Sequence, residues 1–395
     1  MNPHPNFESA SLPVRKGACW GRESQLEVSA LTSMAAKALL ALFDGTEMLF
    51  SRRITLRRQG FRREPASPGR TVVALLGLHR LANSGQGQPF DLPSIETAVF
   101  QDKRWIKGIG DLGILIQFAS EYSPDRLTWL ADNFDFAKSL EIFPDGREAR
   151  TAALSCFLAG ISHAKLSCSD ALPDLTDVAV DTYRLLQDNQ GAHGIFAHAG
   201  LPGFLQQPFS NRFGTIADQM HAIYALATFA RAFEIEEPLA DALNCANATR
   251  ALQGDKGQWW FLYDKRSSRV VNHYPVFSIY QDGMAPMALL ELAEATGQNF
   301  DDAICSGLSW VAGANELGVD LRDRQHGIIW DSIEPRSRIT NFWKQALHFM
   351  QNSGKLHNEN LRIRFDARPD HFGWLLYALG GFKGKAMAAI AAKAG

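Results

Sequence analysis

Asp218 and His221 lie three residues apart, and Gln281 with Asp282 follow about sixty residues on. A spacing of three puts a carboxylate and an imidazole on one face of a helix, where both can reach one ligand. Positioned acids and bases of this kind move protons to and from a reacting group. Asp218 and Asp282 together would supply the acid and base of glycoside hydrolysis, their separation deciding retention or inversion. Proton abstraction, as in a lyase or epimerase, would instead use His221, His273 or Tyr274, with Arg or Gln neutralising a uronate carboxylate. Asp111, Gln219, Asp370 and His371 occupy the same kind of position, near the start of an apolar helix. An aspartate there is also a common cap, favoured by the helix dipole, so capping competes with catalysis for each of them.

The segment 258–282 is dense in aromatics: Trp259, Trp260, Tyr263, His273, Tyr274 and Tyr280 stand beside Asp264, Gln281 and Asp282. Their faces suit sugar rings or a carbocation, and equally a core. Pro275 restricts Tyr274 to extended backbone, so 273–280 is expected to enter the site as a strand-like arm. The charged loop 314–338 carries His326 and Trp330 and has the length of a binding loop or lid. The expected site gathers Asp218, Asp282, His221, His273 and Tyr274 as catalytic groups. Trp259, Trp260, Tyr263, Gln219, Gln281, His326, Trp330, Asp370 and His371 are expected to bind substrate.

Other chemistries find no footing. No P-loop, GxSxG, HExxH or dinucleotide fingerprint occurs, so no cofactor is expected. Five scattered cysteines without CxxC spacing argue against a disulfide framework or a structural metal, and fit reduced thiols. A formal net charge of −2 disfavours nucleic acid as a partner. The N-terminus lacks an apolar signal core and no stretch is apolar enough to span a bilayer, so a cytoplasmic protein is expected. Arg52, Arg53, Arg57, Arg58, Arg62 and Arg63 form a basic stretch read as a helix end and loop, with peripheral contact to anionic lipid or an acidic polymer as its alternative.

The elements that must position these residues are helical. Stretches near 71–83, 111–122, 148–164, 216–233, 281–296 and 370–381 are apolar almost all round, the mark of helices buried on both sides. More amphipathic stretches alternate with them, near 31–49, 125–140, 173–187, 237–252, 300–312 and 340–351. Two concentric rings have this requirement, and the pattern predicts an all-α (α/α)6-type toroid of about six helical hairpins. Strand is expected at most as a short hairpin near 259–277. The toroid would fill about 31–382 of a single domain spanning 1–395, after an N-terminal extension over 1–30. An internal repeat agrees: Gln190-xxx-Gly194-x-Phe196 recurs about 63 residues later as Gln253-xxx-Gly257-x-Trp259. Each copy precedes a polar-headed helix, at Asp218-Gln219 and at Gln281-Asp282. Gln325-His326-Gly327 with Trp330 reads as a weaker third copy.

The Q-xxx-G-x-W/F element resembles the QW motif of terpenoid cyclase and prenyltransferase toroids. The alternating helices resemble the six-hairpin glycosidases and related polysaccharide lyases and epimerases. GQWWFLYDKRSSRVVNHYPVFSIYQDGMAPMALLELAEATG, GANELGVDLRD and HFGWLLYAL resemble a bacterial group associated with polysaccharide gene clusters. The last resemblance implies a polysaccharide context and no particular reaction. With the convergent polar helix heads and the aromatic segment, it leads to the expectation of a carbohydrate-active enzyme, a glycoside hydrolase or a lyase or epimerase, working on a polysaccharide or oligosaccharide intermediate. An isoprenoid cyclase-like or prenyl-binding toroid is the alternative, against which stands the missing D-x-D-D acid. A non-catalytic scaffold binding a glycan or protein is a third reading.

Overall fold

The computed structural model describes residues 22–167, 172–199, 210–336 and 360–381. Among them are twelve helices of nine residues or more. In chain order these are α1 (Arg22–Leu42), α2 (Pro68–Asn83), α3 (Leu92–Phe100), α4 (Ile109–Tyr122), α5 (Asp125–Asn133) and α6 (Thr151–Leu166). The second half holds α7 (Thr176–Asp188), α8 (Ile216–Phe233), α9 (Glu237–Ala251), α10 (Ala285–Thr296), α11 (Asp301–Val311) and α12 (Pro369–Leu379). One π turn, Tyr280–Met284, runs directly into α10.

The even-numbered helices close a ring. Each packs on the next, α2 on α4, α4 on α6, α6 on α8, α8 on α10 and α10 on α12, and α12 returns to α2. The odd-numbered helices lie outside, α3 against α2, α5 against α4, α7 against α6 and α9 against α8. This division follows the sequence pattern. Along α8 the side chains from Met220 to Ala230 are buried except at His221, because α6 and α10 flank it and α9 covers its back. Close approach within the ring depends on small residues: a Cβ at Gly113 would fall 2.3 Å from the Cys156 carbonyl oxygen, and one at Gly160 would fall 2.2 Å from that of Gly113. Each fully buried Phe or Leu of this core, such as Phe157, Phe229 or Leu375, contributes roughly 1.5–3 kcal/mol.

The two ends of the ring differ. At the C-terminal ends of the inner helices, polar side chains interlock. Gln117 Nε2 donates to Glu121 at 2.9 Å and to the hydroxyls of Tyr224 and Tyr377 at 3.1 and 3.0 Å. Tyr377 donates to Glu121 at 2.7 Å, His163 Nε2 lies 2.7 Å from the Tyr224 hydroxyl, and Arg80 lies over the Tyr377 ring. Buried polar groups satisfied in this way rigidify a core, and here they seal one end. The opposite end carries the strands. Ile54–Arg57 and Gly60–Arg63 form a hairpin joined by Asp366–Ala367, just before α2 and α12. Phe213–Thr215 pairs with Leu262–Asp264, which pairs with Arg269–Asn272, just before α8. Val276–Phe277 pairs with Ser332–Pro335, which pairs with Leu361–Arg364.

The two rings match the expected toroid, and all six apolar stretches are the inner helices. Strand is richer than expected, with five small sheets among the described residues in place of one hairpin. The expected outer helix near 31–49 ends at Leu42, and short strands follow at Phe43–Asp44 and Leu49–Phe50. Helix α3, hidden from the periodicity by its nine-residue length, fills a slot that the sequence left empty. The stretch 340–351 lies outside the described residues. The arginine-rich stretch holds a β-hairpin over 54–63 that turns at Arg58 and Gln59, because Ile54, Thr55 and Leu56 favour strand and Gly60 (φ +108°) lets the chain re-enter the pair opposite Arg57. Among the described residues no helix is long and apolar enough to cross a membrane.

Candidate active site

The repeat builds a joint. Gln190 Nε2 donates to the Gly194 carbonyl at 3.1 Å and to that of Asp241 on α9 at 2.8 Å. Gln253 Nε2 donates to the Gly257 carbonyl at 2.8 Å and to that of Ala303 on α11 at 3.0 Å. Each glutamine thus ties the end of one outer helix to the next. Gly194 (φ +89°) and Gly257 (φ +87°) sit against the backbone of that next helix, where a Cβ would fall 2.4 Å from the Asn244 oxygen and 2.1 Å from the Ser306 oxygen. The inner helices complete the joint. Gln219 Oε1 accepts from the Phe196 amide at 2.8 Å, and Gln281 Oε1 accepts from the Trp259 amide at 3.0 Å. Gln219 and Gln281 are therefore equivalent, which makes Tyr280, not Asp282, the counterpart of Asp218.

At the open end the first turns of the inner helices carry the partly accessible Gly69, Arg70, Gly110, Asp111, Ala217, Tyr280 and Asp370, which outline the mouth of the ring, the well. Solvent also reaches Cys156 and His221 about one turn deeper, although protein surrounds both closely. His221 Nδ1 lies 3.6 Å from Cys156 Sγ, and the edge of Trp374 approaches the imidazole with ring centroids 6.0 Å apart. Burial drives His221 down to about 4 and Cys156 up to about 12, so both are neutral over the physiological range.

One dyad stands at the mouth. His198 Nδ1 lies 3.1 Å from Asp218 Oδ2, with the imidazole 25% exposed and the carboxylate 1% exposed. Backbone bonds fix His198 between two inner helices: its amide donates to the Phe213 carbonyl at 2.8 Å and its carbonyl accepts from the Thr151 amide at 2.9 Å. Asp218 is held by the Thr215 amide at 2.7 Å and the Thr215 hydroxyl at 2.8 Å, the capping box of α8. The carboxylate that caps α8 also contacts the imidazole. The charge of Asp218 raises the His198 pKa above its ordinary value, against the opposing effect of burial. Asp111, third residue of α4 as Asp218 is of α8, accepts from the Lys107 amide at 3.0 Å, and burial raises its carboxyl. Two ion pairs flank the mouth, Arg70 with Asp370 at 2.8 Å and Arg368 with Asp331 at 2.9 Å. Burial lifts Tyr280 to about 12, with the charges of Arg368, Asp218 and Asp370 acting on it.

No protein-family model and no curated protein matches this sequence. Solved structures do match it in shape. An unsaturated glucuronyl hydrolase from Streptococcus agalactiae superposes with a TM-score of 0.60 at 13% identity, over 91% of this chain and 92% of that one. An unsaturated glucuronyl hydrolase from Bacillus sp. GL1, responsible for the degradation of glycosaminoglycan, gives 0.57 at 12% identity over 90% and 95%. A possible member of the GH105 family from Klebsiella pneumoniae gives 0.56 at 12% identity over 96% and 98%. The fold is the six-hairpin α/α toroid. At these identities the likeness is one of fold, and the chemistry of this toroid has to be argued from its own residues.

Beside the well runs a groove of about 1440 Å³. Arg53, Arg57 and Arg62 at the hairpin line it together with Arg336, Arg362 and Arg364. Glu64, Glu334 and Asp366 are the carboxylates that line it. Arg364 approaches Asp331, the partner of Arg368, at 3.8 Å, so groove and well are neighbours.

The toroid redistributes the residues singled out from the sequence. His221 is partly accessible and Asp370 stands at the mouth, while Asp218, one turn before His221 on α8, is buried against His198. Asp282 does not join them: it is fully buried with Oδ1 2.7 Å from His371 Nε2, and His371 is 1% exposed. The proposed acid–base pair of Asp218 and Asp282 therefore lacks a member that substrate can touch. Trp259 and Tyr263 are at 0% exposure and serve as core. Gln219 and Gln281 spend their amides on the joint. His273, Tyr274 and Trp260 assemble around a different carboxylate: Tyr274 donates to Glu316 at 3.1 Å, Trp310 donates to it at 2.9 Å, and His273 meets Trp260 edge-on at 4.5 Å. The extended arm runs only to Phe277, after which helix begins. His326 and Trp330 belong to a hairpin whose turn Gln325-His326-Gly327 makes no such joint. There His326 binds Asp323 at 2.7 Å and Trp330 packs on Phe365 at 5.2 Å.

Sequence reasoning missed His198 and the groove. The signal for His198 was present, two residues after Phe196 in the first repeat copy, where the second copy has Phe261. The arginines of 336–364 escaped because strand pairing, invisible to spacing, carries them to the hairpin. Among the described residues no three His, Cys, Asp or Glu side chains are placed to hold one metal ion.

Proposed function

We propose that this toroid is a glycoside hydrolase acting on an oligosaccharide or polysaccharide whose scissile end enters the well. The observation that carries the reading is the part-exposed His198 held by Asp218 at the mouth. With its pKa raised, the imidazole is charged over a wider range, and Asp218 occupies Nδ1, leaving Nε2–H to face the substrate. His198 then donates that proton to the glycosidic oxygen as the C–O bond breaks. Asp111, whose burial makes it a stronger base than an ordinary carboxylate, takes a proton from the attacking water. The hydroxyl adds to the anomeric carbon and keeps the water's second proton, the first stays on Asp111, and proton exchange with solvent restores both His198 and Asp111, so the balance closes. Neutral His221 and the edge of Trp374 offer a hydrogen bond and an apolar wall to a sugar ring deeper in.

Further support comes from the hydrolases among the similar folds. Proton abstraction has less: His221 is too weak a base at about 4, and Tyr274 is pushed up by burial and Glu316. The charged mouth also differs from the dry apolar cavity an isoprenoid would need. The test is a screen of aryl glycosides and glycan fragments, including unsaturated uronides, followed by His198→Ala and Asp111→Asn on any substrate found. Each variant should lower kcat by about 10²-fold or more. Full turnover in both would remove this assignment.

A further inference from the structure

The groove is more than an entrance. Its six arginines come from three separate stretches of a chain whose net charge is −2, and its three carboxylates are already engaged. Glu64 binds Arg53, Glu334 binds Arg362 at 2.6 Å, and Asp366 binds Thr55 and Arg364, each at 2.6 Å. Arg57, Arg62 and Arg336 have no ion pair among the described residues, although Arg336 is fixed through Nε to the Leu361 carbonyl at 2.9 Å. The remaining lining is apolar, with Phe261, Pro275, Leu317, Val319 and Phe365, of which Phe365 is 45% exposed and Val319 42%.

A ligand for such a groove carries both anionic groups for the arginines and C–H-rich faces for the apolar lining. At about 1440 Å³ the space also exceeds the ~300–1,000 Å³ typical of a site for one small molecule. We propose that the groove is an extended subsite for an acidic polysaccharide chain bearing repeated carboxylate or sulfate groups. Arg57, Arg62 and Arg336 take the anions, and Phe365 and Phe261 lie against sugar faces. The contact from Arg364 through Asp331 to Arg368 places the groove beside the well, so one chain can occupy both. This rests on the glycan reading above and adds the substrate's charge and length to it.

Binding of the wild-type protein to polygalacturonate, heparin and neutral dextran, measured by calorimetry at 50 and 500 mM NaCl, tests it. Polygalacturonate reports the carboxylate source and heparin adds the sulfate. At least one polyanion should bind, dextran should not, and the higher salt should weaken binding at least tenfold because the guanidiniums are exposed. The triple variant Arg57→Gln/Arg62→Gln/Arg336→Gln should lose at least tenfold in affinity. Should its thermal melt be lowered, single Arg57→Gln and Arg62→Gln changes at the exposed hairpin carry the test, each with a loss of at least threefold. Unchanged affinity in the folded variants, or equal binding of dextran, would overturn the proposal. Binding to vesicles containing phosphatidylglycerol, with none to either polyanion, would replace the glycan with a membrane surface. The active-site reading fails separately: it depends on His198→Ala abolishing turnover, a change that should leave polyanion affinity as it was.

Discussion

The two copies of the repeat are built alike and do different things. In both, a glutamine closes an outer helix, a left-handed glycine presses on the next one, and an inner-helix glutamine grips the backbone at the aromatic residue. Between these fixed points the first copy carries His198 and Asp218, in contact at 3.1 Å. The second carries Phe261 and Tyr280, each 5.9 Å from the ring of Phe277 that separates them. The tether is architecture and imposes no chemistry. In the proposed mechanism, reactivity resides in the two positions beside it, which the joint holds but does not specify.

That separation can be broken most severely at the chemical positions. His198→Phe gives the first copy the second copy's residue. It should lower turnover by about 10²- to 10⁴-fold, the usual worth of a positioned acid. The thermal midpoint, measured above the raised His198 pKa where the ion pair no longer contributes, should move little, since a phenyl ring already serves at the equivalent site. A large drop in stability with activity per folded molecule unchanged would show that His198 belongs to the joint.

The reverse separation is expected at the glycines. Gly257→Ala puts a Cβ 2.1 Å from the Ser306 oxygen at φ +87°, and Gly194→Ala does the same against Asn244. Left-handed strain and overpacking together should destabilise each by roughly 2–5 kcal/mol, read from urea unfolding. If the joints are alike, the two losses agree to within about 1 kcal/mol, the scatter expected for such substitutions. Gln219→Ala and Gln281→Ala each leave a buried amide without its acceptor, and should cost about 1–3 kcal/mol. Neutral results in either would deny the joint its glutamine.

The architecture was legible because it is written in burial. A helix covered on both sides must be apolar all round, so each inner helix announced itself, as 216–233 and 281–296 did. The site was legible only where local geometry decides it. Asp218 and His221 lie one turn apart by spacing alone; His221 is partly accessible, while Asp218 is buried against His198. Asp282 has the same composition around it, yet the repeat aligns Gln281 with Gln219, and the offset of two residues from Tyr280, the counterpart of Asp218, turns Asp282 into the core against His371. His273 and Tyr274 went elsewhere because Glu316, far along the chain, supplies the acceptor that Tyr274 needs. Such pairings depend on tertiary contacts that no periodicity carries.

Stability should register the well through His221. Its folded pKa of about 4 lies below the ordinary 6.5, so its neutral form is the one the fold accepts. The wild type should therefore lose stability as pH falls from about 6.5 toward 4, by roughly 3 kcal/mol from this group. His221→Gln should flatten that part of the profile. An unaltered slope between pH 7 and pH 4 would mean that His221 is solvated in both states.

The finest comparison is between a charged and a neutral partner for His198. Asp218 is the largest cause of the raised His198 pKa, and burial acts against it. With the carboxylate replaced in Asp218→Asn, an oxygen still accepts from Nδ1 and from Thr215, while the charge is gone. Burial then dominates and the imidazole pKa falls below 6.5. Because His198 acts as the acid, activity is lost as pH rises through its pKa, so the alkaline limb of kcat against pH should move to lower pH. Folding is linked in the same direction. The ion pair contributes stability that is full below about 6.5 and is lost as pH rises through the raised folded value, and Asn removes that dependence. A merely structural Asp218 would lower the amount of folded enzyme and leave the limb where it was. The position of that limb, measured on folded protein, therefore decides whether the capping carboxylate of α8 is also part of the chemistry.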